Sequence, residues 1–234
     1  MKAAVAWLVV VAVAVGALAH GGVLVAWQGG RDRVRVLEVT VSSVTNSSVV
    51  TEEVGELFAR GKWLVVSEAY TGLCPWLKAK EFVKPGKATA VVAVVARSNR
   101  TAAVLLGLRQ GNCSLVRSIL LKRSAVGRRH GTIEGACKLA AKLGASLLVE
   151  RGKLRALVLM NPEGKWRRAG SGDVRWKDVG GELNVGDTLW VCFHNIVVLR
   201  PKFAEVFGFN AVIWGFSGAI IDLDTGLALA KYPL

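Results

Sequence analysis

Acidic residues are scarce in this sequence. Its 234 residues include 17 Asp or Glu against 31 Lys or Arg, which gives a formal net charge of +14. This imbalance favours anionic partners such as acidic glycans, anionic lipid head groups or nucleic acid. Only 21% of the residues are charged and 52% are hydrophobic, so the composition excludes a disordered polar chain and predicts a well-filled core.

Cysteine is also rare, and its spacing excludes the common zinc sites. None of the four cysteines forms a C-x-x-C pair. An even number of cysteines without metal spacing predicts two disulfides instead. Three pairings are open, and we favour the sequential one, which joins Cys74 to Cys113 and Cys137 to Cys192.

Sequence motifs of the common enzyme classes are missing. There is no P-loop, no dinucleotide-binding fingerprint and no G-x-S-x-G nucleophile elbow. We therefore predict no catalytic residue, no cofactor and no metal, and an exported or anchored enzyme of unknown class is kept as an alternative. Glutamine occurs only twice beside abundant Lys and Arg, which favours a thermophilic source.

The leading segment, residues 1–28, predicts a membrane anchor. Ala3 to Trp27 carries no formal charge, and as a helix it would be about 37 Å long, enough to cross a bilayer core of about 30 Å. A signal peptide cleaved after Ala19 is the main alternative. A buried core helix is the third.

The signals for membrane orientation conflict. Arginines follow the leading segment at Arg31, Arg33 and Arg35, and the positive-inside rule would place the domain in the cytoplasm. Three N-x-Ser/Thr sequons predict glycosylation outside the cell instead, and they are Asn46, Asn99 and Asn112. We favour an extracytoplasmic domain over residues 33–234, with a subdivision near 161–170 left open.

The residue periodicities predict an α+β fold. Thr51 followed by two glutamates indicates a helix that ends at Gly61, and a second helix is expected from Thr132 to Leu143. Val-rich segments, among them Ala88 to Ala96, predict strands. The expectation is a valine-rich sheet or sandwich with about two helices, and the alternative is an all-β sandwich. No internal repeat is found.

Asp224-Thr225-Gly226 is similar to the catalytic triplet of the aspartic proteases. That family pairs two such carboxylates. Only one triplet is present here, and Leu227 follows it where the family usually carries Ser or Ala. We therefore predict a hairpin turn at this triplet.

A basic tryptophan loop is the most distinctive motif. Trp166 and Trp176 lie ten residues apart, each flanked by cations, around a Gly-rich turn. Tryptophan stacks on bases or sugars while Lys and Arg meet phosphates or carboxylates, so the loop predicts contact with a polyanion or a membrane surface. The residues of the predicted surface are Lys165, Trp166, Arg167, Arg168, Arg175, Trp176 and Lys177. A solvated strand edge is the alternative.

Together these features predict a membrane-anchored, basic glycoprotein of the cell envelope with a non-catalytic structural or binding domain. Polyanions or lipid head groups are its expected ligands. The alternatives are an enzyme and a cytoplasmic-facing nucleic-acid-binding protein.

Overall fold

The computed structural model describes residues 34–97, 100–123, 131–199, 201–213 and 218–231. These residues form seventeen β-strands and four short α-helices, and the strands belong to two large sheets. The predicted α+β class is therefore wrong, and the all-β alternative fits the fold. No helix among the described residues is long and apolar enough to cross a membrane, and the predicted anchor lies outside them.

Residues 34–123, here called module 1, contain the first sheet. Its strands are β1 (Val34–Val44), β2 (Ser48–Thr51), β3 (Gly55–Phe58), β4 (Lys62–Val66), β5 (Thr71–Pro75), β6 (Gly86–Arg97), β7 (Arg100–Gln110) and β8 (Cys113–Arg117). Helix α1 (Trp76–Ala79) and a 3₁₀ turn (Lys80–Phe82) follow β5, and α2 (Ser118–Arg123) follows β8. The strand order is β3-β2-β1-β6-β7-β8-β4-β5, and β3 also pairs in parallel with β7.

Residues 131–231, here called module 2, contain the second sheet. Its strands are β9 (Gly131–Leu143), β10 (Ser146–Arg151), β11 (Leu154–Val158), β12 (Lys165–Arg168), β13 (Gly172–Arg175), β14 (Thr188–Val198), β15 (Ala211–Ile213), β16 (Gly218–Asp222) and β17 (Ala228–Lys231). Helix α3 (Trp176–Val179) follows β13, and α4 (Pro201–Phe207) follows β14.

The two modules share one topology. In module 2 the strands β9, β10, β11, β14, β16, β17, β12 and β13 make the same neighbour pairings as β1, β2, β3, β6, β7, β8, β4 and β5. The parallel pair of β3 with β7 has its counterpart in the parallel pair of β11 with β15. Strand β7 is thus matched by two shorter strands, β15 and β16. The molecule contains an internal repeat that sequence inspection missed.

The pairing registers of equivalent strands also support the repeat. Strand β1 carries a bulge opposite β2 at Ser42, and β9 carries one opposite β10 at Ala140. The next strand of each module begins with a fully buried serine, Ser48 or Ser146. The fourth strand of each begins Lys-Trp after a glycine, and a second tryptophan opens the helix after the fifth strand. These pairings define equivalent positions in the two modules.

The predicted helix over residues 132–143 is a strand, β9. It pairs with β10 on one side and with β14 on the other, so both rows of its backbone groups are used in the sheet. The helix-like spacing arose because the bulge at Ala140 changes the face that the side chains occupy. Ile133 packs into the core of module 2, whereas Ala140 and Leu143 pack between the modules.

The predicted helix over residues 51–61 is instead a tight turn at residues 52–54 followed by β3. The Thr51 hydroxyl accepts a hydrogen bond from the Val54 backbone N–H at 3.3 Å, so the expected cap exists but closes a single turn. Gly55 then adopts φ +78°, a left-handed conformation that favours glycine and directs the chain into β3. The Glu53 carboxylate accepts bonds from the N–H and hydroxyl of Thr40.

Each module has its own hydrophobic core, and a third core lies between them. The third core joins side chains on β4, β6 and β8 of module 1 to side chains on β10, β11, β15 and α4 of module 2. These surfaces are not equivalent in the repeat, so the modules pack head to tail. Module 1 contributes Leu64, Val91 and Val116, and module 2 contributes Leu148, Leu157, Val212 and Phe207.

The outer faces of the pair are more polar than the faces that meet. Exposed Arg167 and partly exposed Cys192 of module 2 occupy the positions equivalent to Leu64 and Val91. In module 1, exposed Glu56 occupies the position equivalent to Leu157. These residues make the outer faces less suited than the inner ones to the apolar contact that joins the two modules.

Candidate functional surfaces

The basic tryptophan loop folds into β12, β13 and α3 of module 2. Its two rings do come together, with centroids 5.3 Å apart, but they lie inside the core. Trp166 is 1% exposed and Trp176 is 2% exposed. The indole N–H of Trp176 donates to the carbonyl oxygen of Ala145 at 2.6 Å. Neither ring presents a face on which a base or sugar could stack.

Carboxylates pair with most of the cations of this loop. Arg168 binds Glu182 through two nitrogens at 2.7 and 2.9 Å. The carboxylate of Glu163 contacts both Arg175, at 3.1 Å, and Lys177, at 2.9 Å. The hydrogen bond from Lys177 is the main cause that lowers the pKa of Glu163. Arg167 lies 3.8 Å from Asp173, so the loop is largely neutralised by its own neighbours, and Lys165 is exposed.

Module 1 contains an equivalent tryptophan pair. The ring centroids of Trp63 and Trp76 are also 5.3 Å apart, and both side chains are buried. The indole of Trp63 donates to the Ala59 carbonyl at 2.7 Å, and that of Trp76 donates to the Thr45 carbonyl at 3.1 Å. The ring pair thus fixes the β4, β5 and α1 junction, and the Trp76 bond has its counterpart in the Trp176 bond of module 2.

Charge is the main difference between the two junctions. Around the pair in module 1 lie five cations, here called the cationic edge: Arg60, Lys62, Lys78, Lys80 and Arg117. The position of Arg60 before Gly-Lys-Trp is occupied by Glu163 in module 2, and that of Lys78 is occupied by Asp178. The described ion pairs all lie within module 2.

Backbone pairing holds the cationic edge together. Lys62 lies opposite Pro75 in the β4–β5 pair, and the Trp76 N–H donates to the Gly61 carbonyl at 2.9 Å. The guanidinium of Arg117 lies over Gly61, within 3.7 Å of the position that a Cβ there would occupy. Partial burial lowers the pKa of Arg117 from its usual value. An arginine side chain nevertheless stays positively charged at physiological pH.

All four cysteines are free thiols, so neither predicted disulfide is formed. Cys137 points into the core of module 2, whereas Cys192 pairs with Glu134 on the opposite face of the sheet. Cys74 and Arg117 both lie opposite Trp63, on either side of β4, so they are at the same level of the sheet. Cys113 is on the strand of Arg117, four residues along β8, which is an offset of about 13 Å from the level of Cys74. A disulfide needs Cα atoms within about 7 Å, so this fold is incompatible with the sequential pairing.

A short chain of polar side chains crosses the outer face of module 2. The Thr132 hydroxyl lies 2.9 Å from Nδ1 of His194, and Nε2 of His194 lies 3.9 Å from the Cys192 sulfur. A hydroxyl, an imidazole and a thiol in this order could form a site in which the histidine activates the thiol as a nucleophile. However, burial and the nearby Glu134 carboxylate raise the pKa of Cys192, which disfavours the thiolate.

Three aspartates meet at the β16–β17 turn. Ligand atoms of Asp187, Asp222 and Asp224 lie within 4.8 Å of one another. Asp222 accepts bonds from the Thr225 hydroxyl at 2.7 Å and the Asp224 N–H at 2.9 Å, and Asp224 accepts from the Thr188 N–H at 2.6 Å. These bonds build the turn predicted at Asp224-Thr225-Gly226, which is confirmed as a hairpin turn.

A groove of about 520 Å³ lies between module 1 and α4. Glu38, Lys87, Arg109 and Glu205 bring charges of both signs to its wall. Arg109 is already engaged, because its guanidinium donates to the Val206 carbonyl at 2.9 Å and the Gly111 carbonyl at 3.2 Å. The groove therefore has no single charge that would select a ligand.

Two of the three sequon asparagines lie in exposed turns. Asn46 follows β1, where its side-chain oxygen accepts a bond from Lys80 at 2.7 Å. Asn112 lies in the β7–β8 turn, 3.4 Å from a Glu68 oxygen. Asn99 lies outside the described residues. Both described asparagines would be accessible to a glycosylating enzyme.

The fold and surfaces define a duplicated β protein with one cationic edge. Comparisons of the chain with known protein families, with curated proteins and with solved structures return no match. Function must therefore be argued from the surfaces themselves.

Proposed function

We propose that this is a membrane-anchored protein of the cell envelope whose outward-facing domain binds anionic polymers without catalysis. The anchor is the uncharged segment from Ala3 to Trp27, and the two accessible sequons, Asn46 and Asn112, favour the outer side of the membrane. The binding role has its main support in the folded domain.

The main support for the binding role is that the positive charge of the cationic edge is neutralised less than that of module 2. In module 2, five basic residues form ion pairs with carboxylates, four of them in the basic tryptophan loop, whereas none of the five cations of the cationic edge forms an ion pair among the described residues. An accumulation of one charge sign raises the local concentration of oppositely charged ligands. Positive charge that the fold leaves uncompensated is thus available to an anionic polymer.

Location is tested by adding protease to intact cells that produce the full chain. Loss of the domain without lysis is expected. Digestion only after lysis would favour the cytoplasmic alternative. Treatment with an N-glycosidase in a glycosylating host provides a second readout, because a mass decrease requires that the sequons were exported.

Binding is tested with the full chain in nanodiscs of zwitterionic lipid. Immobilised anionic polymers should retain it at low salt and release it as salt rises, since counterions compete for the cations. A neutral polymer of the same size is the control and should not retain it. Retention by neither polymer at low salt would overturn the proposed function.

A further inference from the structure

We infer that the cationic edge of module 1 is the binding surface and that its ligand is a polysaccharide bearing carboxylate or sulfate groups. This inference rests on the proposed function and makes it specific. It gives the binding role to residues outside the basic tryptophan loop, which was the surface that the sequence favoured.

Three lysines of the cationic edge lie on connected elements, β4, α1 and the 3₁₀ turn. Lys62 is exposed and next to Pro75, and Lys78 and Lys80 follow on α1 and the 3₁₀ turn. Lys78 lies over the Tyr70 ring at 4.6 Å, and Lys80 donates to Asn46. Both contacts hold an ammonium group in place while leaving its charge uncompensated. Glu81, in the same turn, is the nearest acid in the sequence.

The aromatic rings beside the cationic edge are not available for base stacking. Single-stranded nucleic acids bind to exposed aromatic rings that alternate with cations. Here Trp63 is fully buried and Trp76 is 3% exposed. The Tyr70 ring is covered by Lys78 on one side and stacks with Phe82 at 5.4 Å between centroids. Charge without an available aromatic platform fits a polymer recognised through its carboxylates or sulfates.

The cationic edge adjoins the end of β1 that lies opposite Val34. The predicted anchor precedes Val34, the first residue of β1, and β1 runs eleven residues to Val44. An extended strand of this length covers about 33 Å. Thr45, directly after it, accepts the Trp76 indole bond. The end of β1 that adjoins the cationic edge is thus about 33 Å from Val34, so an anchor that precedes Val34 would leave this edge within reach of a polymer outside the membrane.

The test compares two triple variants of the full chain in zwitterionic nanodiscs. One is Lys62→Ala with Lys78→Ala and Lys80→Ala. The matched control at the module 2 junction is Lys165→Ala with Lys177→Ala and Lys231→Ala. Both remove three positive charges, so a loss caused by net charge alone would be the same for each. Circular dichroism checks that both variants fold.

The probes are polygalacturonate, dextran sulfate, a mixed-sequence single-stranded oligonucleotide and vesicles containing phosphatidylserine. We expect the module 1 variant to bind the two polysaccharides at least about tenfold more weakly, with a flatter dependence on salt because fewer counterions are released. The affinity of the control variant should stay within about threefold of that of the unmodified chain, because its three lysines lie outside the cationic edge.

Three other outcomes would contradict the site, the ligand class or the proposed function. Equal losses in the two variants would remove the cationic edge as the site while leaving the proposed function intact. Tighter binding of the oligonucleotide or the vesicles, lost in the module 1 variant, would replace the polysaccharide by nucleic acid or lipid. If the unmodified chain binds no probe at low salt, the proposed function itself fails.

Discussion

Modules 1 and 2 have the same strand pairing and the same buried tryptophan pair, yet they differ wherever side chains reach the surface. Glu163 in module 2 accepts bonds from two cations, whereas the equivalent Arg60 adds to the charge of its edge. The indole bond of the second tryptophan, Trp76 or Trp176, and the Gly-Lys-Trp positions are common to both modules. The comparison shows that the repeat retains its packing while its surface charge diverges.

A second difference lies in the connection after the long central strand. Module 1 joins β6 to β7 directly, whereas module 2 inserts α4 between β14 and β15. Phe207 at the end of α4 packs onto Gly107 of module 1. The insertion thus supplies much of the contact that holds the modules together, and module 1 has no equivalent.

The largest expected effect tests whether the tryptophan pairs are equivalent. Trp63→Ala and Trp166→Ala each remove a large buried side chain, so each should lower the free energy of unfolding by about 3–5 kcal/mol. Urea denaturation of the full chain in detergent measures both. Leu77→Ala, at a side chain that is 57% exposed, is the neutral control. A loss below about 1 kcal/mol at either tryptophan would contradict the equivalence.

The contact between the modules can be tested at Gly107. A Cβ there would lie 2.3 Å from Cζ of Phe207, so Gly107→Ala should destabilise the chain by about 1–3 kcal/mol. Gly181→Ala is the control, since a Cβ at that residue would have nothing within 4 Å and the backbone there is unstrained. Phe207→Leu should recover part of the loss in the Gly107→Ala background, and strict additivity would contradict the contact.

Acid sensitivity should differ between two equivalent positions, Asp222 in module 2 and Gln110 in module 1. Burial alone would raise the pKa of Asp222, but the hydrogen bonds from Thr225 and from the Asp224 N–H outweigh it, and the net pKa is lowered. Because the folded-state pKa lies below the unfolded value of about 3.9, the ionised carboxylate stabilises the fold. This contribution is complete above that unfolded value and is lost as the pH falls through the folded one.

The equivalent position in module 1 holds Gln110, whose amide makes two bonds to the backbone of Lys84 without a titrating group. Asp222→Asn should therefore cost about 1 kcal/mol at neutral pH and less in acid. Gln110→Ala should have an effect that does not vary with pH. Urea midpoints measured from neutral pH to about pH 3 distinguish the two, and equal pH profiles would contradict the assignment.

The smallest expected effect is a difference in thiol labelling. Burial raises the pKa of Cys137 to about 11 and also raises that of Cys74, so both should label only after unfolding. Cys113 and Cys192 are partly exposed and should label first with a maleimide. Mass spectrometry of the alkylated protein, without reductant, should count four free thiols. Fewer than four would restore a disulfide.

Sequence patterns predicted the strands well where one signal dominated. The Ala/Val run from Ala88 to Ala96 lies in β6. The predicted hairpin turn at Asp224-Thr225-Gly226 joins β16 and β17. In contrast, the bulge in β9 produced a helix-like spacing, because one extra residue changes the face of every side chain beyond it.

The basic tryptophan loop shows why a binding surface was harder to predict. The sequence indicated that Trp166 and Trp176 would be close, and their centroids are 5.3 Å apart. It gave no indication that they would point inward, because alternation along a four-residue strand can place an aromatic ring on either face. The carboxylates of Glu163 and Glu182 that neutralise its arginines were also present in the sequence, but their pairing depends on the fold.

The amino-acid sequence by itself determined the excess of positive charge, the uncharged leading segment, the valine-rich strands and the turn at Asp224-Thr225-Gly226. These depend on composition and on neighbours along the chain. The tertiary structure alone decided the internal repeat, the head-to-tail contact and the burial of the two rings of the tryptophan loop. The physical reason is that pairing, burial and charge neutralisation join residues far apart in sequence, as when Thr45 accepts the bond of Trp76.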